Sequence, residues 1–264
     1  MIPTNNSSFL RGAWAITKPG MAAFLESLKM STSGITMADF FTPRQSMQVD
    51  DHGIAHIDIK GALIDAAPAI HEKIGATDYR SIRSEIDAAQ DAKAIMLRID
   101  SPGGTVAGLE EASNDIKGSS VPVYAYTDGL CCSAAYHLAS SAQNIIASPS
   151  ATVGNIGTVL SWIDDSALMA AMGLSQEVIT NEQADLKGTF RDSPMTAEQR
   201  EFLQEEVNAM GDQFKQHVES NRQVDPEVFR AGWYSGDRAQ SLGLIDAISS
   251  YDYAHATILH GLSS

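Results

Sequence analysis

The sequence predicts an α/β fold with a largely parallel sheet covered by helices, on three observations. Two apolar runs of strand length, Ala94 to Ile99 and Val121 to Thr127, are too evenly apolar for a sheet face open to water and read as buried strands. A helix-length segment, Val106 to Lys117, lies between them. Two strands joined by one helix are neighbours in parallel. Finally, strand and helix alternate through the middle of the chain instead of sorting into separate blocks.

Taken in order, residues 1–50 form a leader or arm, with a helix expected from Pro19 to Met30, a Ser/Thr/Gly stretch from Ser31 to Thr36 and a joint at Thr42-Pro43-Arg44. A lid, an oligomer contact and a processed segment are all open roles for it. Residues 51–250 read as the working domain and 251–264 as a tail of little pattern. Within the domain, Ile54 to Ile59 and Ala62 to Ile64 read as strands. Tyr79, Ile82, Ile86 and Ala89 then share a helical face after Asp78, a good N-cap. Asn144 to Ala147 and the glycine-kinked run Val153 to Leu160 read as strands, Ile163 to Met172 as a helix, and Glu177 to Thr180 as a strand. A long helix follows Pro194, with Thr196 and Gln199 spaced as a capping box and Leu203, Val207, Met210, Phe214 and Val218 on one face. Core packing and a subunit interface explain that face equally well. Asp225-Pro226 opens a short helix, Trp233-Tyr234 packs after it, and Gly243 precedes a last strand.

Composition narrows the function. The chain has 264 residues, 44% of them hydrophobic, with 33 acidic against 18 basic side chains and a formal charge of −15. Such a balance argues against nucleic acid and anionic membranes as partners. Cys131 and Cys132, the two cysteines, are adjacent and cannot bridge distant segments, which suits a reducing compartment. No apolar run approaches the roughly eighteen residues of a membrane span, and the first twenty or so lack a secretory pattern. The expected location is the cytoplasm. Without an H-E-x-x-H or paired-cysteine spacing, no metal or other cofactor is expected.

The chemistry centres on Ser133. The strand ending at Thr127, the turn at Asp128-Gly129 and the small residues Ser133-Ala134-Ala135 put a hydroxyl at a helix start, where first-turn N–H groups stabilise a developing oxyanion. An ordinary N-cap serine would read the same way. The preceding crossover carries Asp100-Ser101-Pro102-Gly103-Gly104, whose glycines leave backbone N–H groups open to a carbonyl oxygen. His137 stands one turn from Ser133, poorly placed as its base, and His217 is expected on a solvated helix edge. His52, His56, His71, His255 and His260 read as scattered surface residues.

This combination resembles the signal peptide peptidase A family of serine proteases: IDSPGG, a strand, a small-residue segment with Ser133-x-x-Tyr136, then Gly154-Asn155-Ile156-Gly157. It is most similar to the soluble phage head-maturation branch of the lambda C-protein type, from about Gly53 to Ile248. The resemblance implies a Clp/crotonase-type repeated ββα fold, Ser133 as nucleophile and Lys187 as general base. It further implies an oxyanion hole from Ala134 and Gly103 or Gly104. Family members often carry a second serine that orients the lysine. Here that position is Asn155, which either does the same work through its amide or marks weakened activity. The implied function is a Ser/Lys endopeptidase trimming scaffold or capsid precursors, assembled as a homo-oligomeric ring; in such rings the serine and lysine of one site can come from neighbouring subunits. A soluble cellular homologue degrading peptides, an acyl-CoA enzyme of the crotonase type and a decayed shell component remain alternatives. Cys132 is a minor rival nucleophile.

Overall fold

Apolar runs of strand length form the strands, and short crossovers fix which of them are neighbours. The computed structural model describes residues 13–16, 47–65, 75–162, 164–175, 177, 179, 181–184, 186 and 195–262. In chain order the elements are β1 (Ala13–Ile16), β2 (Gln48–Val49), β3 (Ile54–Lys60), β4 (Leu63–Ile64), β5 (Thr77–Asp78), α1 (Tyr79–Ala88), β6 (Ala94–Asp100), β7 (Gly103–Thr105) and α2 (Leu109–Lys117). There follow β8 (Val123–Thr127), β9 (Leu130–Cys132), α3 (Ala134–Ser140), β10 (Asn144–Ala147), β11 (Thr152–Gly154), β12 (Val159–Leu160) and α4 (Ser166–Ala171). The long α5 (Ala197–Asn221), a 3-10 helix (Pro226–Arg230), β13 (Trp233–Ser235), α6 (Gly236–Ser241), β14 (Ala247–Ile248) and α7 (Tyr251–Leu262) complete the order. The helix expected at Pro19 to Met30 lies outside the described residues, as does much of the strand expected at Glu177 to Thr180.

Among the described residues, the main sheet has six strands in the order β14-β10-β8-β6-β3-β2, parallel throughout except for β2 against β3. A second sheet runs β12-β1-β7-β4-β5 and a third β13-β11-β9. The crossover Ala94–Lys117 and its successor therefore share one plan. A long strand sits in the main sheet, a short strand in a minor one, and a buried helix follows: β6-β7-α2, then β8-β9-α3. The expected α/β fold with a largely parallel sheet covered by helices is borne out, and its unit is the repeated ββα that the family resemblance implies. Two stretches differ in detail. The expected turn and helix after Thr127 contain the short strand β9, and the kinked strand of 153–160 is two strands, β11 and β12. Gly154 (φ 115°) and Asn155 (φ 55°) bend the backbone between them.

Helices cover both faces of the main sheet. On one face, Asp78 caps α1 by accepting from the Arg80 N–H at 2.9 Å, and Tyr79, Ile82 and Ile86 enter the core. All of α3 is buried there. Thr196 and Gln199 form the capping box of α5, whose Phe214 and Val218 pack into this core, so its apolar face is largely used within the chain. The opposite face of the sheet, with Ile54, Ala94, Met96, Tyr126 and Ile146, is covered by Ala254 and Ile258 of α7. The tail of little pattern is thus a helix, docked by Ala254 and Ile258 one turn apart with Tyr251, Leu259 and Leu262 packed beside them.

That helix is clasped by histidines expected to be scattered. Asp50 Oδ2 meets His56 Nε2 at 3.0 Å and His255 Nε2 of α7 at 2.6 Å. Its Oδ1 accepts from the His52 and Ile54 N–H groups at 2.9 and 3.0 Å. Burial works against the Asp50 charge, but the bonds from His56, Ile54, His255 and His52 prevail and hold this carboxyl well below its ordinary 3.8. A depressed carboxyl pKa adds stability that is present above the unfolded value and lost as pH falls toward the folded one. Wild type should therefore be more stable than Asp50→Asn near neutrality, with their urea midpoints converging as the pH drops below 3.8. A gap that stays constant into acid would contradict the clasp.

Candidate active site

Ser133 is held in a backbone conformation that serine rarely takes. Its φ of 56° and ψ of −123° lie where a Cβ crowds the neighbouring carbonyl. Bonds on either side keep it there. The Ser133 N–H donates to the Gly154 carbonyl at 2.7 Å, and the Ser133 carbonyl accepts from the His137 N–H at 2.9 Å. One residue earlier, Cys132 N–H donates to the Ser101 carbonyl at 3.2 Å. Ser133 thus joins β9 to α3 through a sharp bend, strapped to β11 and to the loop after β6.

The hydroxyl does not cap the helix. Ser133 occupies the N-cap position, but its side chain makes no capping bond. Its Oγ instead faces the Gly157 carbonyl at 3.4 Å, at the outer limit of a hydrogen bond. Only 1% of the residue is exposed. Strained, buried and turned away from its usual partner, the serine is not an ordinary cap. The first amides of α3, beginning with Ala134, lie outside the helix's own ladder.

The glycine loop lies alongside. Ser101, fully buried, donates its hydroxyl to the Gly61 carbonyl at 2.6 Å and accepts from the Gly103 N–H at 3.2 Å. That amide is thus already partnered, and serving an oxyanion would require it to exchange Ser101 Oγ for substrate. Gly104 is needed for close approach, since a Cβ there would lie 1.8 Å from the Leu63 carbonyl oxygen. Asn155 stands at the bend after β11, next to the Gly154 whose carbonyl holds the Ser133 N–H. Its N–H donates to the Gly232 carbonyl at 2.6 Å and its Nδ2 to the Ala231 carbonyl at 2.9 Å.

Among the described residues, no basic side chain hydrogen-bonds the Ser133 hydroxyl. Lys187 lies outside those residues. His137 faces elsewhere: its Nδ1 meets Ser113 Oγ at 2.8 Å and its Nε2 approaches Glu110 at 3.8 Å. Burial, then the neighbouring His217, push its pKa well below the usual histidine value. His217, expected on a solvated edge, stacks on His137 with ring centroids 3.6 Å apart and planes 17° apart. Glu110, His137 and His217 are close enough to suggest a metal site, as are Asp50, His56 and His255. Imidazole lone pairs lie in the ring plane, however, so the nearly parallel rings of the first group cannot both aim at one ion. The second group is engaged in the Asp50 hydrogen bonds. Burial drives the Cys132 thiol up to about 12, leaving it protonated and weakly nucleophilic near neutral pH.

Residues 115–261, more than half of the chain, match peptidase family S49. The chain belongs to this family. The S49 match takes in Ser133, Asn155 and Lys187 but starts beyond Gly103 and Gly104. Among curated relatives, capsid assembly protease C of Escherichia phage lambda is 30% identical over 220 residues, covering 78% of this chain and 49% of that one. Protease 4 of Salmonella typhi is 30% identical over 215 residues, 77% of this chain and 34% of that one. The chain thus spans half or less of either relative's length. A solved enoyl-CoA hydratase/isomerase family member aligns over 84% of this chain and 78% of its own at 18% identity, with a TM-score of 0.44.

Strain at Ser133 has a thermodynamic signature. Glycine relaxes a positive φ that alanine cannot, so Ser133→Gly should be more stable than Ser133→Ala by roughly 1 kcal/mol in chemical denaturation, despite glycine's more flexible unfolded chain. Equal stability of the two variants, or a more stable alanine form, would show that the bend costs nothing.

Proposed function

We propose that this S49 peptidase is a Ser/Lys endopeptidase with Ser133 as nucleophile and Lys187 as general base. The observation that carries the reading is the strained, buried Ser133 whose hydroxyl is not spent on capping its helix. In this mechanism neutral Lys187 takes the Ser133 proton as Oγ attacks the scissile carbonyl. The tetrahedral oxyanion is held by the Ala134 N–H and by the N–H of Gly103 or Gly104. Lysine then protonates the leaving amine, and water, deprotonated in turn, releases the acyl-enzyme. With its Nδ2 tied to Ala231, Asn155 has its amide oxygen as the group to offer the lysine.

Likeness to the lambda capsid assembly protease supports scaffold or capsid precursor proteins as substrates. A homo-oligomer is supported by the exposed Leu168 and Met172 at α4 and the neighbouring Leu174, apolar side chains that a second subunit would cover. Among the described residues no helix is long and apolar enough to cross a membrane, which suits such substrates.

The test is cleavage of a peptide library and a denatured protein, read by mass. Ser133→Ala and Lys187→Ala should each lose at least about 10³-fold in rate, and the wild-type rate should rise with pH as the lysine base is deprotonated. Because the base works only when neutral, activity disappears on the acid side of its titration. Cleavage that persists in both variants would overturn the assignment.

A further inference from the structure

A short strand from the leader is an interior strand of the second sheet, between the two segments that flank Ser133. β1 pairs antiparallel with β7 on one side and with β12 on the other. Without it, β7 and β12 would be two facing strand edges with a gap of one strand, about 9–10 Å wide. Such a slot accepts an extended peptide through backbone hydrogen bonds alone.

The registers of both neighbours converge on one residue. Against β7, Trp14 lies opposite Thr105, Ala15 opposite Gly104 and Ile16 opposite Gly103. Against β12, Ala13 lies opposite Leu160 and Trp14 opposite Val159. Continued two steps, that second register sets Ile16 across from Gly157, whose carbonyl is the group 3.4 Å from Ser133 Oγ. Gly103 follows Ser101, whose carbonyl is bonded to Cys132 next to the serine. From either side, Ile16 is the end of β1 nearest the nucleophile. The strand also runs from amino to carboxyl end toward Ser133, the direction in which the acyl half of a peptide must run to present its carbonyl there.

We propose that β1 is a built-in occupant of the peptide slot, bound as the acyl half of a substrate would be, with Ile16 at the reactive end. An added peptide must displace it. The slot recognises extended main chain, and β1 sets its own competition by residing in the same molecule at a high effective concentration. This rests on the peptidase reading, so its test uses binding and needs no turnover.

On a Ser133→Ala background, anisotropy reports binding of a fluorescent peptide with the sequence of residues 11–18. Adding Ala15→Pro removes a backbone N–H from a strand with a partner on either side, which a central strand does not tolerate. Peptide binding should tighten about tenfold. Independently, Ala13→Cys with Leu160→Cys places two thiols at paired positions. Oxidation should lock β1 in the slot and abolish peptide binding, and reduction should restore it. Unchanged or weaker binding in a folded Ala15→Pro protein, or equal binding by the oxidised and reduced pair, would overturn the proposal. A protein that binds the peptide as expected but cuts nothing after Ser133 is restored would count against the Ser/Lys mechanism and not against β1.

Discussion

Everything at the site depends on one hydrogen-bonded bend, in which the Gly154 carbonyl holds the Ser133 N–H while the Ser133 carbonyl starts α3. Serine at φ 56° costs of order 1–3 kcal/mol, and it persists only because the surroundings overdetermine it. Those surroundings are the parallel pairing of β9 with β11, the bridge from Ser101 to Cys131 and a helix buried along its whole length. Removing the strain by releasing the bend would let the serine swing back toward the ordinary cap geometry. Under the proposed role of Ser133, function and local stability pull in opposite directions at this residue.

The two-level arrangement of strands explains why a site forms here. β6 and β8 are adjacent parallel strands of the main sheet, so their carboxyl ends open side by side. From those ends the chain climbs into the minor sheets, through Ser101 to β7 and through Gly129 to β9. Ligand sites of open α/β sheets commonly form beyond such strand ends. Here one ending supplies glycines close to a neighbouring backbone and the other supplies the serine. The Ser101 hydroxyl, between the Gly61 carbonyl and the Gly103 N–H, fixes the glycine loop before any substrate arrives.

Much of this was legible in the sequence wherever the determinant was local. The main-sheet strands β6 and β8 show as apolar runs and β3 as a stretch in which Ile54, Ile57 and Ile59 are interleaved with polar residues, and Asp78 and Thr196 with Gln199 show as caps because their partners lie within three residues. The short strands were less legible. Leu130–Cys132 is too brief to show a period, and its pairing with β11 and Ser101 is decided by distant segments. The same holds for Ala13–Ile16 in the leader. The histidines look scattered in the sequence because Asp50 and His255 are far apart along it, and nothing local announces that His137 will stack on His217. The place of Ser133 between strand and helix is legible, but its positive φ is hidden, since residue type signals that conformation only when glycine or asparagine takes it. Asn155, at φ 55°, is such a case.

If the bend makes Ser133 the nucleophile, a reagent that traps activated serines should label it. The protein would be treated with a fluorophosphonate, weighed intact and then mapped by peptide mass. A single adduct is expected on the peptide bearing Ser133, absent from Ser133→Ala and slowed in Lys187→Ala. An adduct retained in Ser133→Ala, or carried by Cys132 instead, would contradict it.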